Sequence, residues 1–358
     1  MIDLSRVIPA IAPTVAVSDA LVHGVEGSED LQETLLRQRL ATHYRLAERN
    51  LVLVDNIDAA LTGIAARNSG PLILFPPSTT VDLLASAPGK RDVVNVTRGL
   101  GRDGSISLET ASDLPHEGMA IIASPGDPLG NVLTANDAVR LARSCAWLVI
   151  DERYADYAGQ SLLSVASEFS NVIVLRSFQS RLGDAATNAG WAVGSPQARD
   201  FLAAVTSPLP PGVARAATIA SSGKASNQMP LSLLREERSR LYRALRKLSF
   251  LQPLPSWGPF VAARVEVGER DTLLALLAAQ GIQVHAPQER GLEQFVRFGI
   301  GTRSAMERLR AALLEIAPQV LGDQLASSGC DPYRLTLRGK EFGEPEFRQV
   351  EKRAQRSA

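Results

Sequence analysis

Three apolar runs along the chain stop abruptly at polar residues: MAIIAS before Pro125, WLVI before Asp151 and NVIVL before Arg176. Between them, TANDAVRLARSCA and SLLSVASEF carry apolar residues at helical spacing. Continuous β-branched runs of this length, separated by helical segments, predict buried parallel strands joined by crossover helices. In such a sheet, ligands bind outside the carboxyl ends of the strands. Asp127, Asp151, Tyr154 and Ser180 all fall just past predicted strand ends, so the pattern predicts that they converge on one crevice.

The same patterning divides the chain. Residues 1–40 read as an N-terminal arm and helix that packs on a small lobe or on a partner subunit, and residues 41–225 read as the large sheet domain. QMPLSLLREERSRLYRALRKLSFL then carries Leu231, Leu234, Leu241, Leu245 and Leu248 along one stripe, which predicts a long amphipathic helix leading into a smaller domain over 226–320. Within it, PFVAARVEV, IQVHA and QFVRFGI predict short strands around the helix DTLLALLAAQ, and SAMERLRAALLEI predicts a closing helix. Residues 321–358, rich in Arg, Glu and Gly, form a C-terminal extension expected to be partly ordered.

Composition narrows the function classes. With 358 residues, 45% of them apolar and 21% charged, and a formal net charge of zero, the chain can bury a large core and suits a two-lobed soluble protein. The neutral balance lacks the basic excess that nonspecific nucleic-acid binding needs. No apolar run approaches the roughly 20 residues of a membrane span, and the opening residues MIDLSRVIPAIAPTVAV lack a basic start and a clean apolar core, so a cytoplasmic location is expected. Cys145 and Cys330 lie in such different settings that they read as reduced thiols. His23, His43, His116 and His285 show no metal-ligand spacing, so no metal is expected. A hydrolase triad on Ser180 is disfavoured by the absence of a G-x-S-x-G elbow.

The segment NVIVLRSFQSRLGDAATNAGWAVGSP, residues 171–196, resembles the cofactor-lysine stretch of the fold-type-I, class I/II aminotransferases that depend on pyridoxal 5'-phosphate (PLP). In the branch of histidinol-phosphate aminotransferase and threonine-phosphate decarboxylase this stretch reads T-F-S-K-x-x-G-L-A-G-x-R-x-G, and Ser177, Phe178, Gly183, Ala185 and Gly190 fall in register with it. Ser180 stands where the resemblance puts the Schiff-base lysine. SPGDPLGNVLT resembles S-P-N-N-P-T-G, with Asp127 in place of the asparagine that bonds the cofactor's phenolic oxygen. VIDERYADY resembles the D-E-x-Y segment, which implies that Asp151 pairs with the pyridine nitrogen and Tyr154 touches the phenolic oxygen. FVRFGIGTRSAMERLRAAL resembles the segment whose arginine, here Arg297, clamps the substrate carboxylate in a bidentate pair. Ser177 is implied on the phosphate side. The resemblance thus implies an α/β protein of aminotransferase fold type I: a large, mostly parallel seven-stranded sheet domain flanked by helices, with a smaller α/β domain. It also implies PLP as the cofactor, an amino-acid-like ligand, and a homodimer or a heterodimer with an active relative.

Departures from the family pattern fall on that cofactor. The G-S-x-E/D phosphate turn, which opens a helix so that backbone N–H groups face the phosphate, reads here DNIDAAL, with Asn56, Ile57 and Asp58 at the turn. Asn188 stands in place of the phosphate-binding arginine, Thr79 in place of the stacking aromatic residue, and Asp127 adds a carboxylate beside Asp151. The five lysines, Lys90, Lys224, Lys247, Lys340 and Lys352, all lie away from the predicted strand ends. Arg181, next to Ser180, stays protonated and forms no Schiff base. Without a lysine, transaldimination lacks its amine and the 1,3-proton transfer lacks its base. The leading reading is therefore a degenerate or repurposed aminotransferase-like protein, a pseudoenzyme with no catalytic lysine. Two alternatives stand beside it: an active enzyme that holds PLP noncovalently or borrows a partner's residues, and a structural or regulatory subunit. Each site residue also has a plainer role, with Asp151 capping a turn, Arg297 in an ion pair and Tyr154 packed in a core.

Overall fold

The computed structural model describes residues 1–7, 14–23, 29–87, 92–96, 99–100, 104–108, 114–183, 188–221 and 231–321. The three apolar runs form the strands Met119–Ala123, Trp147–Asp151 and Val172–Ser177, which are buried throughout except at Trp147. They sit together in a seven-stranded sheet whose spatial order is Leu51–Val54, Gly190–Val193, Val172–Ser177, Trp147–Asp151, Met119–Ala123, Leu72–Leu74 and Val93–Asn95. The strand Gly190–Val193 runs antiparallel to both neighbours, and the remaining pairings are parallel. Its register sets Gly190 opposite both Ser177 and Val54. That pairing brings the carboxyl ends of two parallel strands to the start of the antiparallel one.

Alternation along the strands supplies both faces of the sheet with core. Ile122, Ile150 and Val174 face one apolar cluster, while Ile121, Val149 and Leu175 face the other. Complete burial of each such side chain stabilises the fold by about 1.5–3 kcal/mol before entropy is counted. Helices Ala135–Ser144 and Leu163–Glu168 make the crossovers. Helix Ile57–Arg67 follows the first strand of the sheet.

The smaller lobe has its own core, built around Phe250, Phe260, Phe298, Leu277 and Leu313. Strands Leu251–Pro253, Phe260–Val265 and Phe295–Gly299 form an antiparallel sheet, packed with helices Leu231–Leu245, Arg270–Ala279 and Arg303–Leu321. The predicted strand IQVHA, formed over Ile282–Val284, pairs instead in parallel with the N-terminal strand Ile2–Leu4. The start of the chain is therefore part of the small lobe, whereas helices Val15–Val22 and Glu29–Tyr44 pack on helix Pro211–Ala220 of the large one.

In the predicted hinge helix Leu231–Leu245, Leu234, Leu241 and Leu245 are buried. The stripe also hides Glu237 and Arg238, which periodicity alone did not indicate. Arg238 Nη1 donates to the carbonyls of Tyr157 (3.2 Å), Trp257 (2.7 Å) and Gly258 (2.8 Å), fastening the two lobes together. Cys145 is buried as a free thiol, and burial pushes its pKa up to about 11. Among the described residues no helix is long and apolar enough to cross a membrane. Lys90, Lys224, Lys340, Lys352, Ala185, Cys330 and residues 322–358 lie outside the described residues.

Candidate functional site

Charged side chains gather at the carboxyl ends of the sheet, where the pattern predicts a crevice. Asp151, the last residue of its strand, is fully buried. Its carboxylate accepts from Thr80 Oγ1 at 2.9 Å and from Arg153 Nε at 3.0 and 2.9 Å, one contact to each oxygen. Arg153 lies only two positions beyond Asp151, so its side chain folds back over the strand end to reach it. The same guanidinium continues across the crevice, where Nη2 stands 2.8 Å from Asp58 Oδ1 and 2.9 Å from Asp151 Oδ2. Burial works against the charge on Arg153, but Asp151 foremost, with Tyr154 and Asp58, holds its pKa above the ordinary arginine value.

Asp58 sits in the first turn of helix Ile57–Arg67, where the helix dipole favours an anion. Asn56 caps that helix, and its Oδ1 accepts from the amides of Asp58 (2.9 Å) and Ala59 (3.1 Å). Two of the N–H groups free to meet a phosphate in such a turn are thus engaged by the turn's own side chain. Across from it, Asn188 Nδ2 donates to Asp58 Oδ2 at 2.7 Å, and the Asn188 carbonyl accepts from Ile57 N at 3.0 Å. Asn188 adopts a left-handed φ of 66° to make both contacts. Gln179 Nε2 completes the chain on Asn188 Oδ1 at 3.1 Å.

Ser180 faces a different set of partners. Its hydroxyl donates to Asp156 Oδ2, and Asp156 in turn is ion-paired with Arg176. Arg176 also holds Glu152 at 3.0 Å and lies over the rings of Tyr44 and Trp191, 5.3 and 5.7 Å from their centroids. Burial opposes ionisation of Asp156, yet Arg176 and then Arg181 bring its pKa below the ordinary carboxylate value. Ser177 Oγ accepts from Gln179 N at 3.0 Å, which ties it to the short helix Gln179–Leu182. That helix closes at Gly183, whose φ of 61° with ψ of −145° suits glycine and almost nothing else.

At the small-lobe side, Arg297 Nη1 donates to Asp127 Oδ1 at 2.9 Å and Nη2 to the Ser5 carbonyl at 2.5 Å. The arginine expected to clamp a substrate carboxylate therefore already holds a carboxylate of its own chain. Burial raises the Asp127 pKa, with Arg297 and Arg153 opposing the rise. Tyr154 is buried edge-on to Phe260, and its pKa is raised by burial first and by Asp127 next.

The structure thus joins Asp127, Asp151, Tyr154 and Arg297 in one buried group, whereas Ser180 turns to Asp156. Thr79 is exposed at the start of its helix, where its amide donates to the Asp127 carbonyl at 3.1 Å; it is the next residue, Thr80, that points inward to Asp151. Adjacent helix residues project about 100° apart, so Thr80 turns inward while Thr79 faces out. Arg153, Asp156 and Arg176 were missed by the sequence reading. The available signal was three charged residues, Glu152, Arg153 and Asp156, following a wholly apolar strand. Among the described residues no group of His, Cys, Asp and Glu is placed to hold a metal ion.

The model of the family "Aminotransferase class I and II" matches residues 104–313. The histidinol-phosphate aminotransferase of Dehalococcoides mccartyi strain 195 is 24% identical over 320 residues, covering 88% of this chain and 89% of that protein. The enzyme of the same name from Thermococcus gammatolerans is 27% identical over 286 residues, covering 78% of this chain and 80% of that one. Among solved structures, the histidinol-phosphate aminotransferase from Clostridium acetobutylicum superposes with a TM-score of 0.76 at 18% identity, over 89% of this chain and 100% of that one. The histidinol-phosphate aminotransferase from Sinorhizobium meliloti, in complex with pyridoxal-5'-phosphate, superposes with a TM-score of 0.73 at 22% identity, over 89% and 91%.

Proposed function

The chain belongs to the class I and II aminotransferase family, and from that premise we propose that it is a histidinol-phosphate-aminotransferase-like member that does not carry out lysine-dependent transamination. The residue that carries this reading is Ser180, which the sequence resemblance sets at the lysine position and whose hydroxyl is bonded to Asp156. A hydroxyl cannot exchange an imine with an amino substrate, and this one is engaged by a carboxylate. Among the described residues the one lysine, Lys247, is exposed beyond the hinge helix.

The residues of the crevice do not fit PLP. The carboxylate that a pyridine nitrogen would meet is bound by Arg153 through both oxygens, and a second cation there opposes a protonated ring. The turn that a phosphate would occupy presents the carboxylate of Asp58, with its amides capped by Asn56. Like charges at such range in a partly dry site repel by several kcal/mol. These contacts weigh against noncovalent retention of PLP as well as against the covalent form.

The test is amino transfer by the purified wild-type chain, supplied with PLP, from histidinol phosphate or common amino acids to a keto acid. No turnover above the protein-free control is expected, and sustained turnover would overturn the reading. A scaffold role, in a homodimer or with an active relative, is supported by the exposed Val15, Val22, Leu31 and Leu35 on the N-terminal helices. Light scattering at micromolar concentration should give a dimer mass, and a monomer with no copurifying chain would remove that role.

A further inference from the structure

A buried carboxylate at zero exposure such as Asp151 needs a compensating charge. In this chain the compensation is internal and spans the crevice. Arg153, only 14% exposed, connects Asp151 at the end of one strand to Asp58 at the N-terminal turn of the helix after another. Asn188 and Asn56 hold the far end of that connection in place. We propose that Arg153 and Asp58 form a built-in occupant of the cofactor position, the guanidinium replacing the ring at Asp151 and the carboxylate replacing the phosphate at the helix terminus. The inference rests on the reading above and deepens it: the chain closed the site from within, so its stability no longer depends on a bound ligand. Three elements that an outside ligand would have bridged are instead bridged by side chains.

The geometry also orders the energetics. Removing one member of a buried ion group leaves the others uncompensated and is strongly destabilising, whereas neutralising the whole group together is close to harmless. Asp58→Ala should therefore leave Arg153 paired with Asp151 alone and without its second carboxylate at the helix terminus, and an added anion of the right shape should fill the gap. The experiment is thermal unfolding of the full chain and of Asp58→Ala, with and without millimolar inorganic phosphate. Phosphate also stabilises proteins nonspecifically, so the quantity read is the gap between variant and wild type.

Asp58→Ala should melt at least about 4 °C below wild type, and phosphate should close at least half of that gap. The double variant Asp58→Ala with Arg153→Met should show no such selective gain. A variant that melts with wild type, or a phosphate shift equal in all three proteins, would overturn the proposal. Should Asp58→Ala fail to fold, Asp58→Asn keeps the shape without the charge, and the same comparison applies. A second arm compares Arg153→Met alone with the neutral set Asp58→Asn, Arg153→Met and Asp151→Asn. The neutral set should melt above the single variant, and the reverse order would also overturn the proposal. None of these readouts uses activity, so an active wild-type enzyme would count against the proposed function and leave this result to be judged separately.

Discussion

The interior of the central sheet and the rim at its carboxyl ends are built from the same strands under different constraints. Inside, Ile121, Val149 and Leu175 satisfy one another by volume and alternation; any apolar set of similar size keeps such a core folded. At the rim, Asp127, Asp151 and Arg176 each need a specific partner of opposite charge. The interior keeps the family's architecture at low identity because its requirement is generic. The rim cannot drift in that way, since a polar group that loses its partner must gain another. In the proposed function, Arg297 with Asp127, and Arg153 with Asp151 and Asp58, are such replacements drawn from the chain itself.

The sharpest way to break this contrast is Arg153→Met. Two carboxylates would lose their shared cation, and urea unfolding should show a loss of about 3–5 kcal/mol. A loss below about 1 kcal/mol would mean that the rim does not depend on Arg153. In the interior, Leu175→Ala should cost about 2–5 kcal/mol with an unchanged denaturant slope, through the cavity it leaves. The two variants should add, because one acts through charge and the other through packing; coupling well above about 0.5 kcal/mol would join regions that the account keeps apart.

A smaller effect is expected at His285, which is joined to Arg297 by paired backbone hydrogen bonds. Burial first, and Arg297 next, bring its pKa from the ordinary 6.5 down to about 4. Between those values the unfolded chain takes up a proton that the folded chain does not. Stability therefore falls as pH drops from about 6.5 to about 4. Asp127 and Glu152, whose pKa values burial raises, act with the opposite sign at acid pH, so the difference between wild type and His285→Asn is the informative quantity. That difference should be on the order of 1 kcal/mol after solvent screening. A pH profile unchanged by His285→Asn would show that His285 remains readily protonated in the fold.

The smallest expected effect is on activity. Ser180→Lys returns an amine, but sets it beside Asp156, Arg176 and Arg181, and leaves Arg153 and Asp58 across the crevice. Amino transfer with PLP supplied should remain at background. Robust turnover by this single variant would mean that the rim still accommodates the cofactor.

How much of this was legible in the sequence follows the same division. Buried strands announce themselves as unbroken apolar runs, so the sheet, the crossovers and the hinge helix followed from MAIIAS, WLVI, NVIVL and the leucine stripe. Strand ends located Asp127, Asp151 and Tyr154 as neighbours before any contact was known. The parallel pairing of Ile2–Leu4 with Ile282–Val284 was not legible, because it joins residues nearly the whole chain apart and three residues carry no periodicity. Nor was Arg153. Between Glu152 and Tyr154 it reads as one more polar residue after a strand, and only the backbone's turn at that point aims its side chain into the crevice rather than to solvent. The partner of Ser180 was hidden for the same reason, since whether a strand-end serine meets Asp151 or Asp156 is decided by which way a four-residue helix points.

The most direct test of the central claim is reductive trapping. The wild-type chain is incubated with PLP, treated with borohydride, digested, and mapped by mass spectrometry for residues that carry the cofactor mass. The exposed Lys247 provides an internal control, because it reacts with the free aldehyde whatever the crevice does. Labelling should be confined to amines outside the crevice, and visible absorption after dialysis should be indistinguishable from that of the untreated protein. A cofactor adduct on a crevice residue, or an absorption band that survives dialysis and disappears only when Asp151 is replaced, would contradict the claim.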